Sequence, residues 1–137
     1  MNMTLIKMMT MMMMMRMMMI KLELSGQVWA VDSTGQVYMR LGSLHPPPAH
    51  AVPVWLPLPR EETLPEDCRM VEVVVSSAGH MVWARDDMQR VYAREGVYPD
   101  LPLGTGWSLV TGLALQSLAV SRTGVWGLSE RGAVFRE

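Results

Sequence analysis

Residues 28–42 read VWAVDSTGQVYMRLG, and the phrase returns as VWARDDMQRVYAREG at residues 82–96 and as VWGLSERGAVFRE at residues 125–137. In each copy the Trp is followed nine positions later by an aromatic residue. The pairs are Trp29 with Tyr38, Trp83 with Tyr92, and Trp126 with Phe135. The chain therefore contains an internal repeat, which is the strongest indication of its fold.

Each copy of the phrase is typical of a β-hairpin. Short runs rich in Val and aromatic residues flank a polar turn, which is DSTG, DDMQ or SERG. Each turn opens with a side chain that can accept backbone N–H bonds: Asp32, Asp86 and Ser129. Gly35 and Gly132 supply the positive φ that such turns need. Gln89 takes the Gly position in the second copy, so we expect that turn to be strained or differently shaped.

Further strand patterns surround the hairpins. IKLEL, MVEVVV and LQSLAV precede them, while VWLPLP and WSLVTG follow the first two and carry Trp55 and Trp107. Both faces of VWAV are apolar, which favours a strand buried on both sides between packed sheets. Four antiparallel strands per repeat, stacked face to face, predict propeller blades. The predicted fold is all-β, a partial β-propeller of two to three four-stranded antiparallel blades.

The predicted repeats occupy residues 20–137, with blades at about 22–60 and 69–112 and an incomplete third blade at 115–137. Before them lies a Met-rich leader, residues 1–19, which holds 12 of the 16 Met residues and is typical of low-complexity sequence. Lys7 and Arg16 within it disfavour a membrane span, and no small-residue cleavage site follows. We expect the leader to have no packing role and no direct membrane span.

The number of blades is lower than a closed propeller requires, since closed propellers use about four to eight. We therefore expect the chain to be a fragment of a longer protein or an incomplete gene model, with the remaining blades as partners. Open strand edges and an uncovered apolar blade face lead us to expect a poorly soluble or oligomeric isolated chain.

The phrase W-A-x-D-x-x-G-x-V-Y-x-R-x-G, followed by P-x-G-x-x-W-x-x-V-x-G, resembles the tectonin repeat. The second copy matches through Gly112, the first lacks the Gly before Trp55, and the third is a strand and a hairpin. The resemblance implies a non-enzymatic scaffold that presents loops to other proteins. The animal tectonin β-propeller repeat-containing proteins further imply partners in the autophagy or ER-export machinery and a cytoplasmic location, peripheral to autophagosome or ER membranes.

The resemblance leaves a second function open, that of a secreted lectin of the tachylectin type binding carbohydrate or lipopolysaccharide. A cleavable leader and disulfide-competent cysteines would favour it, and the sequence holds a single Cys, Cys68. Two other propeller types fit less well. Arg40 stands where the chromosome-condensation-regulator type places Trp, and the Gly-His of AGHMVWARD lies too close to its Trp for a WD40 blade.

No catalytic, cofactor or metal site is expected. DSTG carries one residue more than the aspartic-protease motif, and turn chemistry explains it better. Ser76, Ser77, His80 and Asp86 lack a nucleophile elbow, and the three His and Cys68 lack metal-ligand spacing. The net charge of −1 gives no sign of a nucleic-acid-binding surface.

The repeated aromatic residues are expected to be structural. They are Trp29, Tyr38, Trp55, Trp83, Tyr92, Trp107, Trp126 and Phe135. We expect the first Trp of each copy to be buried at an equivalent position in successive sheets. Arg40 and Arg94 repeat at strand ends, where they either pair with carboxylates of a neighbouring blade or line a rim that partners contact.

Overall fold

A computed structural model describes the backbone of residues 17–22 and, in full, residues 28–40, 55–76, 80–98 and 100–137. These residues form eleven β-strands. The strands are β1 (Met17–Leu22), β2 (Val28–Asp32), β3 (Val37–Arg40), β4 (Trp55–Pro57), β5 (Met70–Val75), β6 (Val82–Asp86), β7 (Arg90–Glu95), β8 (Gly106–Ala114), β9 (Ser117–Ser121), β10 (Gly124–Leu128) and β11 (Val134–Arg136). Among these residues no helix is long and apolar enough to cross a bilayer.

The strands form three antiparallel sheets, each a meander in chain order. Sheet 1 is β1-β2-β3-β4, sheet 2 is β5-β6-β7-β8, and sheet 3 is β9-β10-β11. β5 packs against β1 and β2, and β9 packs against β5 and β6, so the first strand of each sheet contacts the sheet before it. The all-β, partial β-propeller fold expected from the sequence is confirmed, with open sheets.

The three hairpins share one register. Trp29 lies opposite Met39, Trp83 opposite Ala93 and Trp126 opposite Arg136, so each Trp faces the residue ten positions later. In each sheet the same Trp also pairs with the preceding strand, opposite Lys21, Val74 and Ala119. The repeat seen in the sequence is thus a repeat of strand pairing.

The turn chemistry expected from the sequence is confirmed. Gly35 and Gly132 have φ of 88° and 80°, and Gln89 adopts the same left-handed conformation at 65°. Gln89 is the one non-Gly residue with positive φ among the described residues. Its turn therefore keeps the shape of the others and is strained, because a Cβ disfavours this conformation.

The apolar core lies in two layers between the sheets. Trp29, Val31 and Met39 of sheet 1 meet Val73, Val75 and Tyr92 of sheet 2 in the larger layer. Val74 and Val91 of sheet 2 meet Leu118 and Val125 of sheet 3 in the smaller one, with Trp83 packed against it. All five residues of β2 are buried, so this strand is covered on both faces as its sequence predicts.

Sheet 1 begins earlier in the chain than the sequence predicts. β1 begins at Met17, so residues 17–19 of the Met-rich leader pair with β2, where Met17 lies opposite Asp32 and Met19 opposite Val31. The expectation that these three residues have no packing role is wrong, because β1 pairs with β2 beyond IKLEL, with a shift of register between Met17 and Met19. Residues 1–16 lie outside the described residues.

Candidate functional site

Asp86, the last residue of β6, is 0% exposed and is the most fully engaged carboxylate of the second hairpin. Its Oδ1 accepts the backbone N–H groups of Met88 and Arg90 at 3.0 and 2.9 Å. Its Oδ2 accepts the Arg90 Nε–H at 2.6 Å and the Tyr92 hydroxyl at 2.9 Å. Four donors saturate this carboxylate, so it organises the turn and is not free to act on a ligand.

The first hairpin repeats the arrangement. Oδ1 of Asp32 accepts the backbone N–H groups of Thr34 and Gln36 at 2.9 and 3.0 Å and the Thr34 hydroxyl at 2.6 Å. Oδ2 accepts the Tyr38 hydroxyl at 3.1 Å. Both strands of the hairpin are therefore tied to one carboxylate.

Burial and hydrogen bonding together shift the pKa values of Asp32, Tyr92 and Cys68 in the folded chain. Burial raises the pKa of Asp32, but the bonds from the Thr34 hydroxyl and from the backbone of Gln36 and Thr34 together lower it below its usual value. Burial, followed by hydrogen bonds involving Cys68 and Asp86, raises the pKa of Tyr92. Burial also raises the pKa of the Cys68 thiol. Cys68 is half-buried and packs against the larger core layer.

Arg94 is held by the connector between sheets 1 and 2. Its Nη1 lies 2.5 Å from Oε1 of Glu61, its Nε donates to the Leu103 carbonyl at 2.8 Å, and its guanidinium lies 5.0 Å from the ring centre of Trp107. Oε2 of Glu61 accepts the Trp107 backbone N–H at 2.7 Å. With its side chain 6% exposed, Arg94 is used for internal pairing.

Arg40 occupies the equivalent position in sheet 1. It lies opposite Trp55, as Arg94 lies opposite Trp107. Arg40 is half-buried, and burial lowers its pKa. Both tryptophans are buried, so the second Trp of the first two repeats belongs to the core.

The first Trp of each copy becomes more exposed along the chain. Trp29 is buried beneath sheet 2, Trp83 is half-buried beneath sheet 3, and Trp126 is 38% exposed. Phe135 is also exposed. The expectation of burial is wrong for Trp126 and Phe135, since no described strand covers that face of β10 or the outer edge of β11. Arg136 lies 5.2 Å from the Trp126 ring centre and covers it in part.

The loop between β7 and β8 carries an exposed aromatic residue, Tyr98, beside a shallow groove. Tyr98 is 64% exposed and lines this shallow groove with His80, Glu95 and Val97. Tyr98 and Leu101 exchange backbone hydrogen bonds of 3.2 and 2.9 Å, which fixes the loop. We call its described residues, 96–98 and 100–105, the rim loop.

The residues considered for catalysis are not assembled. His80 precedes β6 and Asp86 ends it, so a full strand separates them. Ser76 is buried and its Oγ accepts the Met81 backbone N–H at 3.2 Å, while Ser77 lies outside the described residues. Within the described ranges no three His, Cys, Asp or Glu side chains are grouped to hold a metal ion.

Comparison with known proteins adds one relative to this geometry. No family model matches the chain. Over 109 residues the chain is 33% identical to tectonin beta-propeller repeat-containing protein 2 of Homo sapiens, a match that covers 80% of the chain and 8% of that protein. The similarity supports a tectonin-repeat relationship. Because the chain spans so little of its relative, the activity and partners of the whole protein are matters for proposal.

Two features of the repeats could not be predicted by the sequence reasoning above. The Asp–Tyr pairs have a visible signal, since an Asp precedes a Tyr by six residues in two copies, and Ser129 and Phe135 replace both members in the third. Glu61 has no such signal. Glu61 lies between β4 and β5, in a segment that the sequence predicts to be an inserted loop. Only the folded structure places it next to Arg94.

Proposed function

We propose that the chain is a tectonin-type β-propeller segment that acts as a non-enzymatic scaffold and presents loops to protein partners. The observation that carries this proposal is the rim loop, which holds Tyr98 and Leu101 exposed on an ordered base. Exposed Tyr side chains on pre-ordered loops are typical of protein interfaces, because little conformational entropy is lost on binding.

The base of the rim loop is fixed by several contacts. Val97 is buried, and Thr105 and Gly104 donate backbone hydrogen bonds of 2.8 and 3.0 Å to Glu95 and Leu101. Gly104 has φ of 68°, and a Cβ there would lie 2.5 Å from the Glu95 carbonyl oxygen. The loop conformation therefore depends on Gly at this position.

The charged groups inside the sheets also favour a scaffold. Asp86 bonds to its own turn and to Tyr92, Arg94 pairs with Glu61, and Glu72 pairs with Arg85 at 2.5 Å. Charged side chains that are paired inside the chain stabilise the sheets. We therefore expect partners to bind the exposed loops.

We extend the proposal to a cellular context on the strength of the sequence resemblance. The animal tectonin β-propeller proteins suggest autophagy and membrane trafficking, with partners in tethering or ER export and a cytoplasmic location at the periphery of those membranes. The human relative supports the general interaction role through its β-propeller repeats.

A lectin remains the second candidate, on one observation. Tyr98 shares its groove with Glu95 and His80, and a ring beside two polar side chains suits stacking and hydrogen bonding to a sugar. The two candidates differ in the ligand that Tyr98 contacts.

The test is a photo-crosslinking amino acid placed at position 98 of the full chain in cells. Met88, which is 61% exposed at the other end of β7, provides the matched control position. We expect discrete protein adducts from position 98 and none of the same mass from position 88, with no glycan-array binding by the purified chain. Glycan binding that Tyr98→Ala abolishes would establish the lectin instead, and identical adducts from both positions would contradict a rim-loop interface.

A further inference from the structure

Arg94 and Trp107 of sheet 2 share the carboxylate of Glu61. Oε1 of Glu61 pairs with the Arg94 guanidinium, and Oε2 accepts the Trp107 backbone N–H at 2.7 Å. The two donors lie opposite each other on β7 and β8. Glu61 comes from the connector between β4 and β5. Sheet 2 therefore contains a two-point carboxylate site, formed by a guanidinium and a main-chain N–H and filled from outside its own strands.

Sheet 1 carries the same two donors. Arg40 and Trp55 lie opposite each other on β3 and β4, where they correspond to the donor pair of sheet 2. Two positions along from this pair, the Leu58 N–H donates to the Val37 carbonyl at 2.9 Å. Because hydrogen-bonded and non-hydrogen-bonded pairs alternate along antiparallel strands, the Trp55 N–H points away from β3. The guanidinium and the main-chain N–H are therefore placed in sheet 1 as they are in sheet 2.

The donors of sheet 1 have no acceptor among the described residues. The Arg40 guanidinium is half-buried and makes no ion pair or hydrogen bond to any residue that the structure describes. Trp55 is 8% exposed, and its buried Nε1 has no hydrogen-bond partner there either. Opposite residues of an antiparallel pair project to the same face of the sheet, so these groups are neighbours. Partly desolvated donors without acceptors favour the binding of an anion.

The segment of the chain that corresponds to the Glu61 connector contains no carboxylate. The first strands of sheets 1 and 2 align at Met17 and Met70, each of which lies opposite the Asp of its hairpin. Glu61 lies nine residues before Met70, and the residue at the same distance before Met17 is Met8. Residues 1–22 contain no Asp or Glu. This difference between the two sheets is one of residue type, and it does not depend on where the chain begins.

The donors of sheet 1 lie at the end of the sheet that corresponds to the rim loop. Arg40 is the last residue of β3, and Trp55 is the first residue of β4. In sheet 2 the equivalent residues, Arg94 and Trp107, flank the rim loop. The half-buried guanidinium of Arg40 is therefore accessible from the end of its sheet at which the proposed interaction surface of sheet 2 lies.

We propose that Arg40 and the backbone N–H of Trp55 bind the carboxylate of an Asp or Glu side chain of a partner protein. The chemistry of the ligand follows from sheet 2, where one planar carboxylate spans the same two donors with one oxygen on each. A guanidinium and a carboxylate match in charge and shape, and such hydrogen bonds are stronger than neutral ones. The inference rests on the proposed interaction role, since it names the side chain that a partner presents to sheet 1.

The probes are acetyl-Gly-Glu-Gly-amide and its Gln counterpart, titrated at constant ionic strength into the isotope-labelled full chain and followed by NMR. We expect the Glu peptide to shift the Arg40 Nε–H and Trp55 N–H signals saturably at millimolar concentrations. The Gln peptide should bind about tenfold more weakly or less, because it lacks the charge that strengthens both hydrogen bonds. Arg40→Gln should weaken binding of the Glu peptide by about the same factor. Arg122→Gln is the matched control, because Arg122 is exposed and lies outside the site.

Glu23→Gln separates a partner's carboxylate from the acidic residue of this chain that follows β1. This variant should bind the Glu peptide as the unchanged chain does, and binding that appears only in Glu23→Gln overturns the inference, because Glu23 then fills the site. Absence of Glu-peptide binding overturns it too, as does equal binding of the two peptides. If Arg40→Gln unfolds, the two peptides on the unchanged chain still decide the outcome. Adducts from position 98 report on the rim loop, so they test the proposed function separately.

Discussion

The Tyr92 hydroxyl donates a 2.9 Å hydrogen bond to Oδ2 of the fully buried Asp86, six residues earlier in the chain. Tyr38 and Asp32 repeat this relation in sheet 1 at 3.1 Å. The bond links the returning strand of each hairpin to the carboxylate that organises its turn. In sheet 3, Phe135 has no hydroxyl to make it.

Tyr92→Phe should destabilise the chain by about 1–2 kcal/mol, because it removes one donor from a buried carboxylate. Tyr38→Phe is the control and should cost less, since Tyr38 is half-buried and its bond is longer. Urea unfolding of both variants measures the difference. Equal losses of unfolding free energy would show that the burial of a Tyr–Asp pair does not determine how much its hydrogen bond stabilises the chain.

Restoring the pair in sheet 3 should show positive coupling. We expect the double variant Ser129→Asp with Phe135→Tyr to be more stable than the sum of its single variants by about 0.5–1 kcal/mol. The single variants place one partner without the other and serve as controls. A coupling energy of zero in the double-mutant cycle would argue that β11 does not hold the hairpin register.

Gln89→Gly should stabilise the chain by about 1 kcal/mol, because Gly adopts the left-handed conformation without the Cβ penalty. The side chain of Gln89 also donates to Glu130 in the turn of sheet 3, and this exposed bond is lost. Gln89→Ala loses the same bond and keeps the strain, so it should be neutral or destabilising. Thermal unfolding separates the two variants, and similar melting temperatures would contradict the strain argument.

Glu61→Gln should destabilise the chain by about 2–3 kcal/mol, since it leaves the buried guanidinium of Arg94 without its carboxylate. Glu62→Gln changes the exposed neighbouring residue in the same way and should have little effect. Chemical denaturation compares them. A small loss at Glu61 would mean that the Leu103 carbonyl and the Trp107 ring suffice to hold Arg94.

Stability should fall in acid as Asp32 is protonated. The pKa of Asp32 is lower in the folded chain than its ordinary value of 3.8, so the folded state binds its proton less readily. Its contribution is present above about pH 4 and is lost as the pH falls through the lower folded value. Unfolding measured from pH 6 to pH 2 should show a shallower decline for Asp32→Asn than for Asp87→Asn, which changes an exposed turn residue.

Most strands could be predicted from local pattern. β5 coincides with MVEVVV, and the hairpin strands follow the runs around each turn, because alternating β-branched and aromatic residues and a fixed turn chemistry act within a few residues. Two strands were predicted less well. β1 begins three residues before IKLEL. β4 is three residues long, because Pro residues there remove backbone hydrogen-bond donors.

The repeat, the turns and the register follow from the amino-acid sequence alone, since these depend on side chains a few positions apart. Which repeated side chains are buried, and which charges pair, depends on how the sheets pack against one another. Equivalent Trp residues differ in exposure because burial depends on the neighbouring sheet, and Glu61 reaches Arg94 across 33 positions of chain. Burial and ion pairing are properties of the packed sheets, and no single repeat contains the information that sets them.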